Sequence, residues 1–246
     1  MHLFLTSSPC DDNVPAGVKL PCIFHTRNRF VEHLQSCFTP GCPGTIIAAS
    51  PDEYDLNDEM AHTFEGCFAY HGMKLAGMTL IDGRNPGEAP RAIAASGVVI
   101  LGGGHVPTQN AFLRRLGARE LLQNFSGIVM GISAGSMNCA ATVYAQPEMP
   151  CESIDPAYRR FLPGLGLTNV NVLPHYQETR HFTLDGRRLF EDITFADSHG
   201  RVFYALPDGS YVYNGAIWGE AWRIADGKIQ QAGWEGTSFR PSNKRE

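Results

Sequence analysis

Gly127-Ile-Val-Met-Gly131-Ile132-Ser133-Ala134-Gly135-Ser136-Met137 is the stretch on which the reading of this chain turns. Its first half is an apolar, β-branched run of the buried-strand type, and its second half opens a helix. Between them lies Gly-x-Ser-x-Gly. Strand, tight turn and helix around that pattern are the context of a nucleophile elbow. A sharp turn there lifts Ser133 Oγ off the C-terminal end of the strand. Gly131 and Gly135 remove Cβ atoms that would collide, and a helix starting near Ala134 offers free N–H groups to developing negative charge. The same letters also describe a plain strand-to-helix connection with a serine N-cap. The rest of the chain must therefore supply a base and an acid.

One strand earlier stands a second glycine turn, Leu101-Gly102-Gly103-Gly104-His105-Val106-Pro107. A dinucleotide fingerprint would need a third glycine where Pro107 stands, and no Gly-Lys-Ser/Thr follows to make a phosphate loop. Close backbone approach is the better use. The N–H groups of Gly104 and Ala134 would together form an oxyanion hole above Ser133. Of nine histidines, His175 stands just past the apolar run Asn171-Val-Leu-Pro174, on the edge where open α/β sheets place their sites. His105 follows the triple glycine and would line the pocket. His2, His25, His33, His62 and His71 sit on early elements without a partner pattern, and His181 and His199 read as loop residues. Asp208 in Ala205-Leu206-Pro207-Asp208-Gly209 is, read alone, a Pro-Asp-Gly turn. It becomes the candidate acid because it too follows a strand end, so that Ser133, His175 and Asp208 would share one sheet edge.

Apolar runs alternate with helix-length segments along the chain, which predicts a mostly parallel sheet flanked by helices. Strands are expected at residues 2–7, 44–49, 78–82, 96–101, 127–131, 169–173 and 201–206. Helices are expected at 29–38, 52–70, 108–123, 134–144 and around 185–192. Residues 146–166, rich in Pro and Gly, read as a long surface excursion. Residues 210–214, 221–224 and 228–231 read as antiparallel strands, the last two joined by the hairpin pair Asp226-Gly227. No repeat or linker divides the chain, so residues 1–246 are expected to form one α/β domain with an antiparallel C-terminal extension. Trp218, Trp222 and Trp234 are expected to pack a sheet edge or a subunit contact.

The composition narrows the class. The 246 residues are 43% hydrophobic, and 20 Lys+Arg stand against 25 Asp+Glu, a formal charge of −5. At roughly 150 residues per domain such a chain builds an ample core. Its basic residues are scattered apart from Lys244-Arg245, which argues against a nucleic-acid partner. The N-terminus has no signal-peptide pattern and no run approaches the ~18 apolar residues of a membrane span. Seven irregularly spaced cysteines suit reduced thiols and a cytoplasmic location. Cys37 and Cys42 lack a second ligand pair, so no metal site is expected from spacing.

The runs VVILGGG (98–104), GISAGSM (131–137), LPHY (173–176) and ALPDG (205–209), in this order, resemble the dipeptidase E (α-aspartyl dipeptidase) family of serine peptidases, with cyanophycinases as more distant relatives. The resemblance spans about residues 1–231. It implies a fold like that of class I glutamine amidotransferases (flavodoxin-like), with serine in place of the nucleophilic cysteine. It further implies Ser133 as nucleophile, His175 as base, Asp208 as acid, Gly104 and Ala134 as oxyanion donors, a small peptide substrate and no cofactor. The chain departs from the family pattern at two places. His105 stands where Asn is usual after the triple glycine. The Thr-Arg segment downstream of the histidine is not cleanly reproduced: Glu178-Thr179-Arg180 comes too early, and Gly186-Arg187-Arg188 lies nearer the expected distance. An aspartyl side chain would call for an arginine partner, which makes His105, Arg180, Arg187 and Arg188 the candidate substrate contacts. The expected activity is hydrolysis of short peptides, with dipeptides carrying N-terminal Asp as the implied substrates. An isopeptide or β-aspartyl hydrolase of cyanophycinase type, another acyl hydrolase, and a catalytically silent ligand-binding relative are the alternatives. Monomer and homodimer both stay open.

Overall fold

The structure is a computed structural model, and it describes residues 1–242. The basic pair Lys244-Arg245 lies outside the described residues. Five parallel strands make the centre of the main sheet: β1 (His2–Thr6), β2 (Gly44–Ile47), β3 (Met78–Ile81), β4 (Val98–Leu101) and β5 (Ile128–Ile132). They lie in the order β1-β5-β4-β2-β3. Both faces are covered, as the unbroken burial of Val98–Leu101 and Ile128–Ile132 requires. The period of two sorts their side chains. Phe4, Ile46, Ile100 and Met130 face one core with Phe30 and Leu34 of α1 (Phe30–Cys37) and Phe64 and Phe68 of α2 (Tyr54–Tyr70). Leu5, Ile47, Val99, Leu101 and Val129 face the other.

The second core is shared with a smaller sheet. There β6 (Asn171–Leu173) runs parallel to β7 (Val202–Ala205), continued antiparallel by two strands, Ala221–Ala225 and Lys228–Gly233. Asp226 and Gly227 both take positive φ (47° and 78°), the conformation of the expected two-residue turn. The remaining C-terminal strands go elsewhere. Tyr211–Tyr213 pairs with β1, Ala216–Trp218 pairs with it in turn, and Ser238–Phe239 closes that edge of the main sheet. The C-terminal strands are thus divided between two sheets. Trp218 belongs to the main sheet, Trp222 to the smaller one, and Trp234 is exposed.

Three helices expected from the sequence come out differently. The helix of 108–123 begins at Val106 and breaks at Gly117 (φ 64°) into α4 (Val106–Arg115) and α5 (Ala118–Gln123); α3 (Ala89–Ala95) precedes them. The helix of 134–144 is only α6 (Ala134–Asn138). Beyond it the β-branched and aromatic Thr142–Tyr144 pairs antiparallel with Phe161–Pro163, so the end of the 146–166 excursion folds back onto the body. Around 185–192 no α-helix forms. Asp185 and Gly186 take φ of 52° and 76° and make a hairpin of Thr183–Leu184 with Arg187–Arg188, followed by a π-helical segment, Leu189–Thr194. Among the described residues no helix is long and apolar enough to cross a membrane.

Candidate active site

Ser133 sits where β5 gives way to α6, at φ 49° and ψ −112°. For a residue with a Cβ this is a strained conformation, of the kind that costs roughly 1–3 kcal/mol and persists only where its surroundings enforce it. Here the enforcement is visible. The Ser133 N–H points at the carbonyls of Thr6 and Ser7, both at 3.1 Å. A Cβ on Gly131 would lie 2.7 Å from the Ser136 backbone, and one on Gly135 would overlap the Leu101 carbonyl. The glycine turn of 102–104 packs directly beside it: a Cβ on Gly103 would touch Ser133 Cβ at 3.4 Å. Gly104 (φ 154°) has no room for a side chain, since a Cβ would meet that of Ala49 at 2.8 Å. Ala134, buried beside Ser133, heads α6, so its N–H is one of the donors a helix start leaves free.

His175 and Asp208 come from the smaller sheet. Register pairs Leu173 with Ala205, so the chain leaves β6 and β7 side by side. Two further bonds hold the exits together, Leu206 N–H to the Leu173 carbonyl (2.8 Å) and Tyr176 N–H to the Leu206 carbonyl (3.1 Å). His175 then turns into the left-handed region (φ 54°, ψ 36°) at the head of α7 (Tyr176–Thr179). Its Nδ1 lies 2.9 Å from Asp208 Oδ1. The carboxylate is further held by the Gln177 amide, which donates to Oδ2 at 2.7 Å while its own oxygen accepts the Asp208 N–H.

Burial works against charge at both groups, and their partners overcome it. For His175, desolvation is the largest influence and disfavours the imidazolium. The hydrogen bond and charge of Asp208, with the charges of Glu178 and Glu148, outweigh it and raise the pKa above the ordinary value. For Asp208, desolvation again leads, but hydrogen bonds from His175, Ser7 and Gln177 hold the carboxyl below its usual range.

Ser7 is a residue that sequence reasoning missed. It lies one step beyond β1, in the run Thr6-Ser7-Ser8-Pro9, which carries no recognisable motif. Its carbonyl accepts the Ser133 N–H, its hydroxyl accepts the His175 N–H at 2.7 Å, and that hydroxyl donates to Asp208 Oδ1 at 2.6 Å. One buried serine thus touches all three candidate residues. Only the fold reveals it, because the partners lie 126, 168 and 201 positions away.

Ser133, His175 and Gly104 line one pocket of about 270 Å³. Within it no hydrogen bond joins Ser133 Oγ to the imidazole among the described residues. Such contacts are often loose before substrate binds. Glu148 and Glu178 also line the pocket, and Phe182 and Leu189 add apolar surface. Burial raises the Glu148 pKa, opposed by the Val106 N–H that its carboxylate accepts at 3.2 Å. The start of the 146–166 excursion therefore forms part of the pocket wall.

The four remaining candidates lie outside that lining. His105 is engaged on both ring nitrogens, with Thr108 Oγ1 at 2.7 Å and Glu152 Oε1 at 2.8 Å, so it ties the excursion to the start of α4. Arg180 is exposed beyond α7. Arg187 and Arg188 are exposed on the hairpin strand, where Arg188 pairs with Asp192 at 2.6 Å.

Comparisons with known proteins agree with this architecture. A peptidase from an acI-B1 Actinobacterium superimposes with a TM-score of 0.63 at 16% identity, covering 97% of this chain and 96% of that one. A putative peptidase E protein from Listeria monocytogenes EGD-e gives 0.52 at 19% identity, covering 94% and 98%. At these identities the likeness speaks for the fold. No curated protein matches the chain significantly in sequence. The model of peptidase family S51 matches residues 48–215, a span that holds the triple-glycine turn, the serine elbow, His175 and Asp208, and on that match the chain belongs to peptidase family S51, the dipeptidase E family.

Proposed function

We propose that this protein is a serine peptidase that cleaves short peptides through an acyl-enzyme. Ser133 Oγ attacks the scissile carbonyl while His175 takes its proton at Nε2. Asp208, on Nδ1, fixes the tautomer and stabilises the imidazolium. The N–H groups of Gly104 and Ala134 receive the oxyanion, each donor worth on the order of 100-fold in rate. His175 then protonates the leaving amine, and water, activated by the same imidazole, releases the acid and restores Ser133. The observation that carries the reading is the pairing of a strained serine with an Asp-held imidazole in the lining of one pocket. With serine at the elbow, we read the topology as a variant of the class I glutamine amidotransferase architecture.

The lining bears on the substrate. Two carboxylates, Glu148 and Glu178, face the cavity, and among the described residues no Lys or Arg lines it. That electrostatic pattern suits the free ammonium of a peptide's N-terminus. It favours neutral over acidic N-terminal side chains, against the aspartyl preference that family resemblance alone implies.

A dipeptide panel of Asp-X, Glu-X, Asn-X, Ala-X and Leu-X, run with wild type and Ser133→Ala, tests both levels. Cleavage abolished in Ser133→Ala supports the nucleophile, and the ranking of substrates decides the pocket. Strict Asp-X cleavage would sink the electrostatic argument while leaving the nucleophile intact. No cleavage, together with no fluorophosphonate label on Ser133, would overturn the reading altogether.

A further inference from the structure

Away from the pocket, three cysteines from three segments converge. Cys10 opens the short strand Cys10–Asp11, Cys22 directly precedes its partner strand Ile23–Phe24, and Cys67 lies in the last turns of α2. Their sulfur atoms all lie within 4.8 Å of one another. Cys67 is fully buried and the other two are half-buried, and none is in a disulfide. A tetrahedral zinc site with Zn–S bonds of about 2.3 Å spaces its sulfurs about 3.8 Å apart, which fits inside that triangle. A triangle of reduced thiols of this size is the donor chemistry of a soft-metal site.

We propose that Cys10, Cys22 and Cys67 bind one thiophilic d¹⁰ cation, Zn(II) or Cu(I), through their three sulfur atoms. Each thiol that joins the ion releases its proton to solvent and donates a sulfur lone pair; no electron changes hands. The physical work of the ion would be local. The loop of residues 12–21 is largely exposed and is anchored by a two-residue ladder and by Leu20, which packs so closely on α2 that a Cβ on Gly66 would overlap it. A metal bridging both ends of that loop to α2 would fasten it, and with it the chain just beyond Ser7. Sequence spacing conceals the site, since the third ligand lies 45 residues from the second.

The test uses the full-length protein, reduced and stripped with a chelator, then dialysed anaerobically against Zn(II) or Cu(I) in separate arms. The expected result is one equivalent of metal retained per chain, with Cys10, Cys22 and Cys67 protected from alkylation among the seven cysteines in peptide mapping. The retaining arm identifies the ion. Co(II) should give a sulfur-to-metal charge-transfer band, lost in Cys22→Ala and kept in Cys37→Ala and Cys42→Ala. The alkylation map needs no variant, so a misfolded substitution cannot blur the answer. Failure to retain either metal, protection of other cysteines, or a Cys10–Cys22 disulfide in the isolated protein would each overturn the proposal. None of these outcomes depends on peptidase activity.

Discussion

Around Ser133 the backbone is held by glycines wedged between buried strands, whereas around His175 and Asp208 it is held by hydrogen bonds among polar side chains. The first wall tolerates no added atom: Gly131, Gly135 and Gly104 each meet backbone or a Cβ that cannot retreat. The second wall is a network of Ser7, Gln177, His175 and Asp208 in which every link is a directional contact. Steric walls set position, and polar networks set protonation. The difference implies that mutations on the Ser133 side will act through stability or outright chemistry, and mutations on the His175 side through pH dependence and rate.

The largest effect that sharpens this contrast is Ser133→Ala, expected to lower kcat on the order of 10⁶-fold without loss of folding, as judged by dipeptide turnover and thermal melting. Asp208→Asn should follow at roughly 10⁴-fold. It should also move the acid limb of the pH–rate profile. In the proposed mechanism the base works as neutral imidazole, and Asp208 favours the imidazolium, raising the pKa of His175. Wild-type activity is therefore expected to fall as pH drops through a value above about 6.5. Removing the carboxylate leaves burial in charge, so the limb should shift to lower pH. A limb that stays in place would break the assignment of Asp208.

Gly135→Ala probes the steric wall and is expected to cost about 3 kcal/mol in denaturant unfolding, from overpacking against Leu101. Ser7→Ala is the sharper probe of the polar wall. Loss of a hydrogen bond to a charged group, about 1.5–3 kcal/mol, predicts a roughly 10- to 100-fold fall in kcat with little change in KM. A variant that loses stability while kcat holds would assign Ser7 to the fold alone. Smallest of all, Arg188→Ala should leave kcat/KM on every dipeptide essentially unchanged, because its guanidinium is spent on Asp192 at the surface. A selective loss on Asp-X would bring the hairpin into the pocket and overturn that placement.

The same contrast governs what the sequence allowed to be read. Gly-x-Ser-x-Gly after an apolar run announces its own geometry, since glycines that relieve collisions must stand beside the residue they serve. Five parallel strands were legible for a related reason: a strand buried on both faces is a short continuous apolar run, as at Val98–Leu101. The polar wall was half legible. His175 and Asp208 could be placed at strand ends, but Ser7 lies at the far end of the chain and carries no local signal. Asp226-Gly227 signals a turn because strand-like runs flank it, while the same dipeptide at Asp185-Gly186 opens a segment whose pattern suggests a helix. Arg187 and Arg188 consequently emerge on a hairpin rather than a helix face. The helix expected over 134–144 ends early at Asn138 because Thr142–Tyr144 pairs with Phe161–Pro163, a partner that nothing local announces.

The position of Ser7 carries a consequence for how the molecule comes into being. Strand β1 is first in sequence yet lies inside the sheet, between β5 and the strand Tyr211–Tyr213. Folding must therefore close loops of more than a hundred residues on both sides of it, the kind of topology that folds slowly. During synthesis β1 must wait until Tyr211–Tyr213 has emerged before its last neighbour arrives. Until Asp208 and the strand after it are in place, Ser7 lacks one partner and the imidazole lacks its acid. In the proposed mechanism a nascent chain that carries Ser133 and His175 without Asp208 is consequently latent, and hydrolytic competence arrives only with the later strands.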